Sequence, residues 1–440
     1  MTPDSAQKKF QKVHDLVESG FHQEAARICN EILDHYDHPL VANVLGFCLK
    51  ELGKDDYAAR VWDQVVASHP DCVPAIANLA NLCRERMRYD RAKELLHHAF
   101  ALNPDHHRVL HNLAVLYVDL GEYDRAKDYA LQALNTEPDS DFTKHTLALS
   151  MLACGNTEGG LQLYESRKKI FQRDAAPIPA YEGGSAKVIV RHEQGYGDTL
   201  MVCRWLPKLR EMGAEVYITA PAPLHRLLVS SGLCQLHDDE DHPEYTHHLW
   251  TMDMLRMFMD DWRGVDGQPY IRADLECRAQ WREKLGGKKE GLPRIGLCWS
   301  GAARPDNHGA YIIDRRRSMS QSEAAQIVSS LPEACWVNLV REWGLPGTVD
   351  FGTSVKDFED QAAIISELDL VIAVDTAVAH LAGALGKPVW MLSRYDACWR
   401  WWPYSEKTLW YDSMRCFYQH KFMDWSGVIE RVKNELHEHF

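Results

Sequence analysis

The sequence predicts an α-helical repeat array followed by an α/β region with parallel sheets, and three observations lead to this prediction. Pro70, Pro104 and Pro138 stand 34 residues apart, and each is followed by Asp. A stretch rich in Pro, Gly and Ala, RDAAPIPAYEGGSAK, then marks a domain boundary. Beyond it, short apolar runs alternate with helical patterns, as in parallel sheets with right-handed crossovers.

Composition places the chain among ordinary globular proteins. Of its 440 residues, 45% are hydrophobic and 25% are charged, and this length favours two or three domains over one core. The net charge of −14 argues against nucleic acid as a bulky partner, although a local basic pocket stays open. The 12 cysteines include no CxxC pair, which favours reduced thiols in a cytoplasmic protein.

No export or transmembrane segment is predicted. The opening residues, MTPDSAQKKFQKV, lack the apolar stretch of a secretory signal. The most apolar stretch, LDLVIAVDTAVAHLAGALG, includes Asp369, Asp375 and His380 and is too polar to span a bilayer. We therefore expect a soluble, cytoplasmic protein.

The first third of the chain repeats with the 34-residue period. One copy, HNLAVLYVDLGEYDRAKDYALQALNTEP, predicts two amphipathic helices joined at LGEYD, with small alanines where the helices approach. This pattern resembles the tetratricopeptide repeat, whose helix pairs stack into a solenoid. A degenerate first copy covers residues 6–38 and a last copy residues 139–171. Such solenoids bind peptides or partner proteins, but a packing or dimerisation arm, and hence a homo-oligomer, stays equally open.

The α/β region is expected to form two domains. Its alternation of strands and helices breaks near residues 285–293, LGGKKEGLP, which suggests a cleft with ligands beyond the carboxyl ends of the strands. A final helix, WSGVIERVKNELHEHF, is expected to cross back between the domains. The predicted organisation is a solenoid at 1–172, a linker at 173–186, α/β domains at 187–288 and 293–422, and a C-terminal helix at 423–440.

The first strand-to-helix corner, EQGYGD, carries candidate binding residues. Gly195 and Gly197 allow the backbone to approach a ligand closely, and Asp198 stands at the start of the helix. Helix capping alone would also explain Asp198. The spacing fits neither a dinucleotide fingerprint nor a Walker loop.

The second corner, AVDTAVAH, has the features of a phosphate site. Thr376 opens a helix directly after a strand, and its hydroxyl and the N–H groups that follow suit a phosphate. Asp375 would cap the helix or order the loop, because its charge would repel a diphosphate. His380 lies one turn further on the same face, where a buried core histidine is the alternative.

A third element joins a strand end to a run of arginines. Ser300 and Gly301 end the strand in GLCWSG, and Arg315, Arg316 and Arg317 follow a polar excursion. At least one of these arginines is expected to neutralise a diphosphate by bidentate pairing. The alternative explanation of the run is a charged helix face exposed to solvent.

Two further clusters have simpler explanations. HDDEDHPEYTHH, residues 237–248, gathers histidines and carboxylates, but we favour a solvated loop and predict no metal ion. CWRWWPYSEKTLW contains Trp399 and Trp401, which we consider candidates for stacking on a sugar or a base, while packing is expected for the other tryptophans.

Three segments together resemble a known family: EQGYGDTL, GLCWSG…DRRRS and DLVIAVDTAVAHLAGALGKPVWML. They are similar to the bacterial glycosyltransferases related to the ADP-heptose:lipopolysaccharide heptosyltransferases, and most similar to the branch with N-terminal tetratricopeptide repeats. The resemblance spans about residues 186–422. It implies a GT-B fold of two Rossmann-like domains, with the acceptor on the first, a nucleotide-sugar as co-substrate on the second, and no cofactor.

The resemblance also implies residue roles. Asp198 would be the general base that deprotonates the acceptor hydroxyl. Among Arg315, Arg316 and Arg317, Arg316 would be the basic phosphate contact. The family's phosphate motif falls on Asp375, Thr376, Ala377 and His380, with Ala377 in place of a common glycine.

We therefore predict a glycosyltransferase that moves a sugar from a nucleotide-sugar to a protein or saccharide acceptor, inverting and metal-independent, with repeats that recognise the acceptor or a partner. Two alternatives stay open. One is a catalytically inactive repeat scaffold of the same fold, against which the joint presence of Asp198, Thr376 and His380 argues. The other is an enzyme of another class, such as a nucleotide-sugar epimerase or a modifier of nucleic acid bases.

Overall fold

The computed structural model describes residues 2–171, 178–236, 244–259, 265–288, 290–302, 304, 308–401 and 405–440. The chain divides into two compact units, Met1–Ser150 and Met151–Phe440. Within the described residues, no helix is both long and apolar enough to cross a membrane.

The first unit is an array of helices, in which α1 to α8 each pack against the next. The helices are α1 (Pro3–Glu18), α2 (His22–Leu33), α3 (Pro39–Glu51), α4 (Asp55–Ser68), α5 (Val73–Glu85), α6 (Tyr89–Leu102), α7 (His107–Asp119), α8 (Tyr123–Thr136) and α9 (Asp141–Ala153), which extends into the second unit. Small residues lie where the helices meet, as the repeat pattern predicts. Ala92 and Ala126 are fully buried, and a Cβ at Gly46 would overlap the indole ring of Trp62.

The second unit begins with two short helices and continues as two α/β domains. The short helices are α10 (Thr157–Tyr164) and α11 (Arg167–Ile170). The first domain comprises β1 (Ala186–Arg191), α12 (Tyr196–Val202), α13 (Leu206–Glu211), β2 (Ala214–Ile218), α14 (His225–Ser230), β3 (Gln235–Leu236), β4 (His247–Trp250) and α15 (Asp253–Phe258). The second comprises α16 (Leu275–Leu285), β5 (Arg294–Cys298), α17 (His308–Arg317), α18 (Gln321–Ser330), β6 (Cys335–Asn338), α19 (Phe358–Ser366), β7 (Leu370–Val374), α20 (Ala377–Ala384), β8 (Val389–Ser393), β9 (Met414–Tyr418) and α21 (Ser426–His439).

Both sheets are parallel. In each sheet the candidate corners lie where the strand order reverses, that is, between two strands from which the chain continues to opposite sides of the sheet. The first sheet has the order β3-β2-β1-β4, so its order reverses between β1 and β4. The second has the order β6-β5-β7-β8-β9, and its order reverses between β5 and β7. Open α/β sheets bind ligands at such reversals, beyond the carboxyl ends of the strands. The predicted fold class, a helical repeat array followed by parallel α/β domains, is confirmed.

The central strands of the second sheet are buried along their whole length, as in a parallel sheet covered on both faces. Gly296 of β5 pairs with Val371 of β7. A Cβ at Gly296 would stand 2.5 Å from Cδ1 of Leu368, so close packing at this position excludes a side chain.

Three segments lie elsewhere than predicted. The pair α10–α11, predicted as the end of the last repeat, groups with the α/β domains. Helix α16, predicted in the first α/β domain, packs against α19 of the second, where Trp281 donates its indole N–H to Asp360 at 3.1 Å. Among the described residues α21 packs against α18 and β9 of its own domain, and the crossing is made instead by Tyr270, whose N–H donates to the carbonyl of Ala384 at 3.0 Å. Periodicity shows which face of a helix is apolar, but not which neighbour covers it.

Candidate functional site

The loop after β1 fixes Asp198 at the end of the strand. Gln194 has a φ of 66°, in the left-handed region that residues other than glycine rarely adopt. Gly195 then donates its N–H to Oδ2 of Asp198 at 3.0 Å. This bond closes the first turn of α12 and orients the carboxylate.

Gly197 allows the two α/β domains to meet. A Cβ at this position would stand 2.7 Å from Cδ2 of His380 and 3.5 Å from Cα of Ala377. The start of α12 in the first domain therefore contacts the start of α20 in the second. The predicted residues of the two corners come together at this contact.

Asp198 forms an ion pair across the two domains. Its Oδ1 lies 2.6 Å from Nη2 of Arg400, which belongs to the short 3-10 helix Trp399–Trp401 after β8. The same Nη2 donates to Oε1 of Gln194 at 3.0 Å. Burial alone would lower the pKa of the Arg400 guanidinium, but the charge of Asp198, together with the interactions of Cys398 and Tyr164, raises this pKa well above its ordinary value. Arg400 is therefore a cation held beside the candidate base.

The N-terminus of α20 lies at the end of β7. Thr376 precedes the helix in an extended conformation, and its hydroxyl donates to the carbonyl of Val374 at 3.1 Å. Ala377, half-buried, is the first residue of the helix. Backbone N–H groups at a helix start attract anions, so this corner has the electrostatics of a phosphate site. Asp375 is half-buried beside it.

His380 is a buried, neutral histidine. Its Nδ1 lies 3.0 Å from the hydroxyl of Tyr411, and its ring centroid lies 4.7 Å from that of Trp401. Burial lowers the pKa of His380 to about 4. Both tryptophans predicted to stack on a ligand are buried by packing, Trp401 against His380 and Trp399 edge-to-face against Tyr164.

Arg317 joins the ends of β5 and β7. Its guanidinium lies over Gly301, where a Cβ would stand 2.9 Å from Nε of Arg317. Its Nη1 donates to the carbonyl of Asp375 at 2.8 Å. Ser318 accepts the N–H of Gly301 at 3.1 Å and the hydroxyl of Ser300 at 3.3 Å. The side chain of Arg317 is thus placed at the reversal of the second sheet.

Arg316, the predicted phosphate contact, is placed elsewhere. Its Nη1 lies 3.0 Å from Oδ2 of Asp396, and both side chains are buried. Arg315 is exposed. Successive residues of a helix point in different directions, so Arg316 contacts the loop after β8 whereas Arg317 lies at the ends of β5 and β7.

Metal-ligand geometry is absent from the described parts of the chain, in which no three His, Cys, Asp or Glu side chains gather as a metal ion would require. Of the predicted solvated loop at 237–248, residues 237–243 lie outside the described residues.

Sequence inspection missed three side chains at this site: Tyr164, Gln194 and Arg400. A signal existed for Arg400, because an arginine among three tryptophans in CWRWW is expected to be buried and then needs a carboxylate partner. No local pattern signals the positive φ of Gln194 or the contact of Tyr164, since both depend on residues distant in the sequence.

The site brings together a possible proton acceptor and a possible phosphate-binding corner. Asp198 on the first domain can accept a proton from a hydroxyl group, while the start of α20 and Arg317 on the second can hold a phosphate. A carboxylate beside a helix start suited to an anion, at the contact of two parallel-sheet domains, is an arrangement that a group transferase can use. Residues 356–419 match the model of glycosyltransferase family 9 (heptosyltransferase). Residues 45–71 and 85–145 match tetratricopeptide repeat models, so the predicted resemblance is confirmed.

The chain is also similar to individual proteins. Protein FlbA of Caulobacter vibrioides is 26% identical over 336 residues, which are 66% of this chain and 54% of that protein. The chain thus spans about half the length of this curated relative. Among solved structures, a thermophilic tetratricopeptide protein of Thermus thermophilus is 21% identical, covering 38% of this chain and 93% of its own, with a TM-score of 0.34. MamA of Desulfovibrio magneticus RS-1 is 18% identical, covering 40% and 100%, with a TM-score of 0.33.

Proposed function

We propose that this protein transfers a sugar from a nucleotide-sugar to a hydroxyl group of a protein or saccharide, with inversion and without a metal ion. The observation that carries the proposal is the contact between the candidate base Asp198 and the domain that bears Arg317 and the start of α20. The match of residues 356–419 supports glycosyltransferase activity in general. The helical repeats would recognise the acceptor or a partner protein.

The diphosphate of the donor would bind at the β5/β7 reversal. The first N–H groups of α20, at Ala377, would donate to a phosphate oxygen, and the absence of a side chain at Gly301 would let the phosphate approach the backbone. Nε of Arg317 is buried and has no partner among the described residues. It would supply a further charge-assisted hydrogen bond.

In the transfer step, Asp198 would take the proton of the acceptor hydroxyl. The acceptor oxygen would form a bond to the anomeric carbon on the face opposite the diphosphate, as the bond between that carbon and the phosphate oxygen breaks. The electron pair leaves with the nucleoside diphosphate, whose charge Arg317 and the start of α20 would stabilise. This single displacement inverts the anomeric carbon.

Arg400 affects this step, because its Nη2 lies 2.6 Å from Oδ1 of Asp198 and would hold the carboxylate in an ion pair until the donor binds. A bound diphosphate would compete for the same guanidinium. Donor binding would therefore release the Asp198 carboxylate from its ion pair when the sugar is present.

A thermal-shift screen of the full chain against nucleoside diphosphates and nucleotide-sugars tests the proposal. A ligand at a hundred times its Kd adds about 2.7 kcal/mol of stability, so a clear rise with one nucleoside would identify the donor and justify a transfer assay. The engagement of Asp198 by Gly195 and Arg400 is the observation that favours the inactive scaffold. A flat response from folded protein would support that alternative.

A further inference from the structure

The geometry points to a positioning role for helices α10 and α11: Tyr164 and Arg167 hold the loop that carries Asp198. This inference deepens the proposed function and rests on it for its activity measurement. Neither residue belongs to a sheet, and the sequence placed both in the repeat array. Besides contacts within α10 and α11, both residues contact segments of the α/β domains, namely those that follow β1, β4 and β8.

Arg167 joins the ends of the two strands at the reversal of the first sheet. Its guanidinium donates to both oxygens of Glu193, at 3.3 Å from Nε and 3.1 Å from Nη2, and also to Oδ1 of Asp253. Arg167 and Glu193 have no exposed surface. Glu193 also accepts the N–H of Met252 at 3.0 Å. A planar guanidinium with this set of carboxylates is geometrically specific, so it fixes where the loop leaves β1.

Gln194 is the next residue, and its backbone is strained. A glutamine with a φ of 66° persists only where its surroundings hold it. Its side chain is held at both ends: Nε2 donates to the hydroxyl of Tyr164 at 2.6 Å, and Oε1 accepts from Arg400 at 3.0 Å. The strained residue therefore bridges α10 and the second α/β domain.

The contacts of Tyr164 converge on Asp198. Arg400, which bonds to Gln194, is also the ion-pair partner of Asp198, and the ring of Tyr164 packs edge-to-face on Trp399, with centroids 6.2 Å apart. Tyr164 thus contacts the loop after β1 on one side and the segment bearing Arg400 on the other. Through these two contacts α10 sets the relative position of the base and its cation.

Hydrogen–deuterium exchange on the full chain with Tyr164→Phe tests the inference without any assay of transfer. Phenylalanine keeps the ring contact but removes the hydroxyl that accepts from Gln194. We expect amides in residues 193–200 to exchange about fivefold faster, as the loss of one hydrogen bond predicts. Tyr57→Phe, which changes an exposed phenol on α4, should leave these amides unchanged. Unaltered exchange at 193–200 in folded Tyr164→Phe would overturn the inference.

Gln194→Gly provides a second variant in case Tyr164→Phe does not fold. Glycine accepts the positive φ without strain but lacks both side-chain bonds. If those bonds position the loop, exchange at 193–200 rises although strain is relieved. Equal or slower exchange would mean that the bonds do not hold the loop.

The activity measurement separates positioning from donor binding. In Tyr164→Phe, kcat for transfer should fall about fivefold while the Kd for the nucleoside diphosphate stays within twofold. A rise in Kd with kcat unchanged would contradict positioning. If the wild-type chain transfers no sugar from any donor, the proposed function fails, while the exchange experiment still decides whether α10 holds the loop.

Discussion

The imidazole of His380 lies against the α-carbon of Gly197, so close that a Cβ at position 197 would stand 2.7 Å from Cδ2. His380 cannot yield, because Tyr411 and Trp401 pack on its other sides. This contact brings the candidate base and the candidate phosphate site together, and it requires a glycine.

Gly197→Ala should therefore separate α12 from α20. Overpacking of this kind costs about 1–3 kcal/mol, so the Tm should fall by several degrees, measured by calorimetry or fluorescence. Gly427→Ala in α21 is the matched control, since a Cβ there meets nothing within 4 Å and alanine favours a helix. Equal melting temperatures for the two variants would show that the contact between α12 and α20 has room for a methyl group at position 197.

Asp198→Asn should abolish transfer while leaving donor affinity within a few-fold. Asparagine keeps the shape and can still accept from Arg400, but it cannot take a proton, and loss of a general base costs about 10²–10⁴-fold in rate. Rates come from a transfer assay and affinities from nucleotide titration. Asp139→Asn, at an exposed position, is the control. A parallel loss of donor binding would assign Asp198 a structural role.

Arg317→Gln should weaken nucleoside diphosphate binding. A hydrogen bond to a charged group contributes about 1.5–3 kcal/mol, which corresponds to a Kd increase of about 10- to 100-fold. Arg315→Gln, two positions earlier and exposed, should bind as the wild type does. Calorimetric titration of both variants makes the comparison, and equal affinities would remove Arg317 from the donor site.

Arg316→Gln should instead lower stability. Its partner Asp396 is buried but also pairs with Arg394 at 3.1 Å, so the loss should be smaller than the roughly 3–5 kcal/mol of a buried charge left without a partner. Urea unfolding at neutral pH measures this loss. Weakened nucleotide binding with unchanged stability would restore Arg316 as the phosphate contact.

Stability should fall in mild acid because of His380. Its pKa in the folded protein is about 4, below the value of about 6.5 in an unfolded chain. The unfolded state therefore binds the extra proton first, and the stability contributed by the neutral ring is lost as the pH falls from 6.5 towards 4. Between pH 7.5 and 5 the loss is about 2 kcal/mol.

His380→Gln should reduce this pH dependence of the unfolding free energy, because glutamine does not titrate. Urea unfolding at pH 7.5 and pH 5 provides the comparison with the wild type. His420→Gln, at an exposed position, should retain the full dependence. The same slope in wild type and His380→Gln would show that folding does not lower the pKa of His380.

The sequence allowed the prediction of elements whose signal is local. The 34-residue period locates the helices of the first unit, and strand-to-helix corners locate Asp198 and Thr376 at strand ends. It did not distinguish Arg316 from Arg317, because adjacent residues share one local pattern and only the direction of α17 separates them. It also placed Tyr164 in a repeat, since α10 has the same amphipathic pattern wherever it packs.

The sequence by itself determined the class of fold, the order of its parts and the positions of the glycines and polar residues at the strand ends. These follow from periodicity and backbone chemistry, which act over a few residues. Only the tertiary structure decided that Arg400 pairs with Asp198, that His380 faces Gly197 and that Arg167 joins β1 to β4. The reason is physical. A buried charge or ring pairs with the segments that lie beside it in the fold, and the strand order and the contact between domains decide which segments these are. The partners therefore lie tens to hundreds of residues away in the sequence.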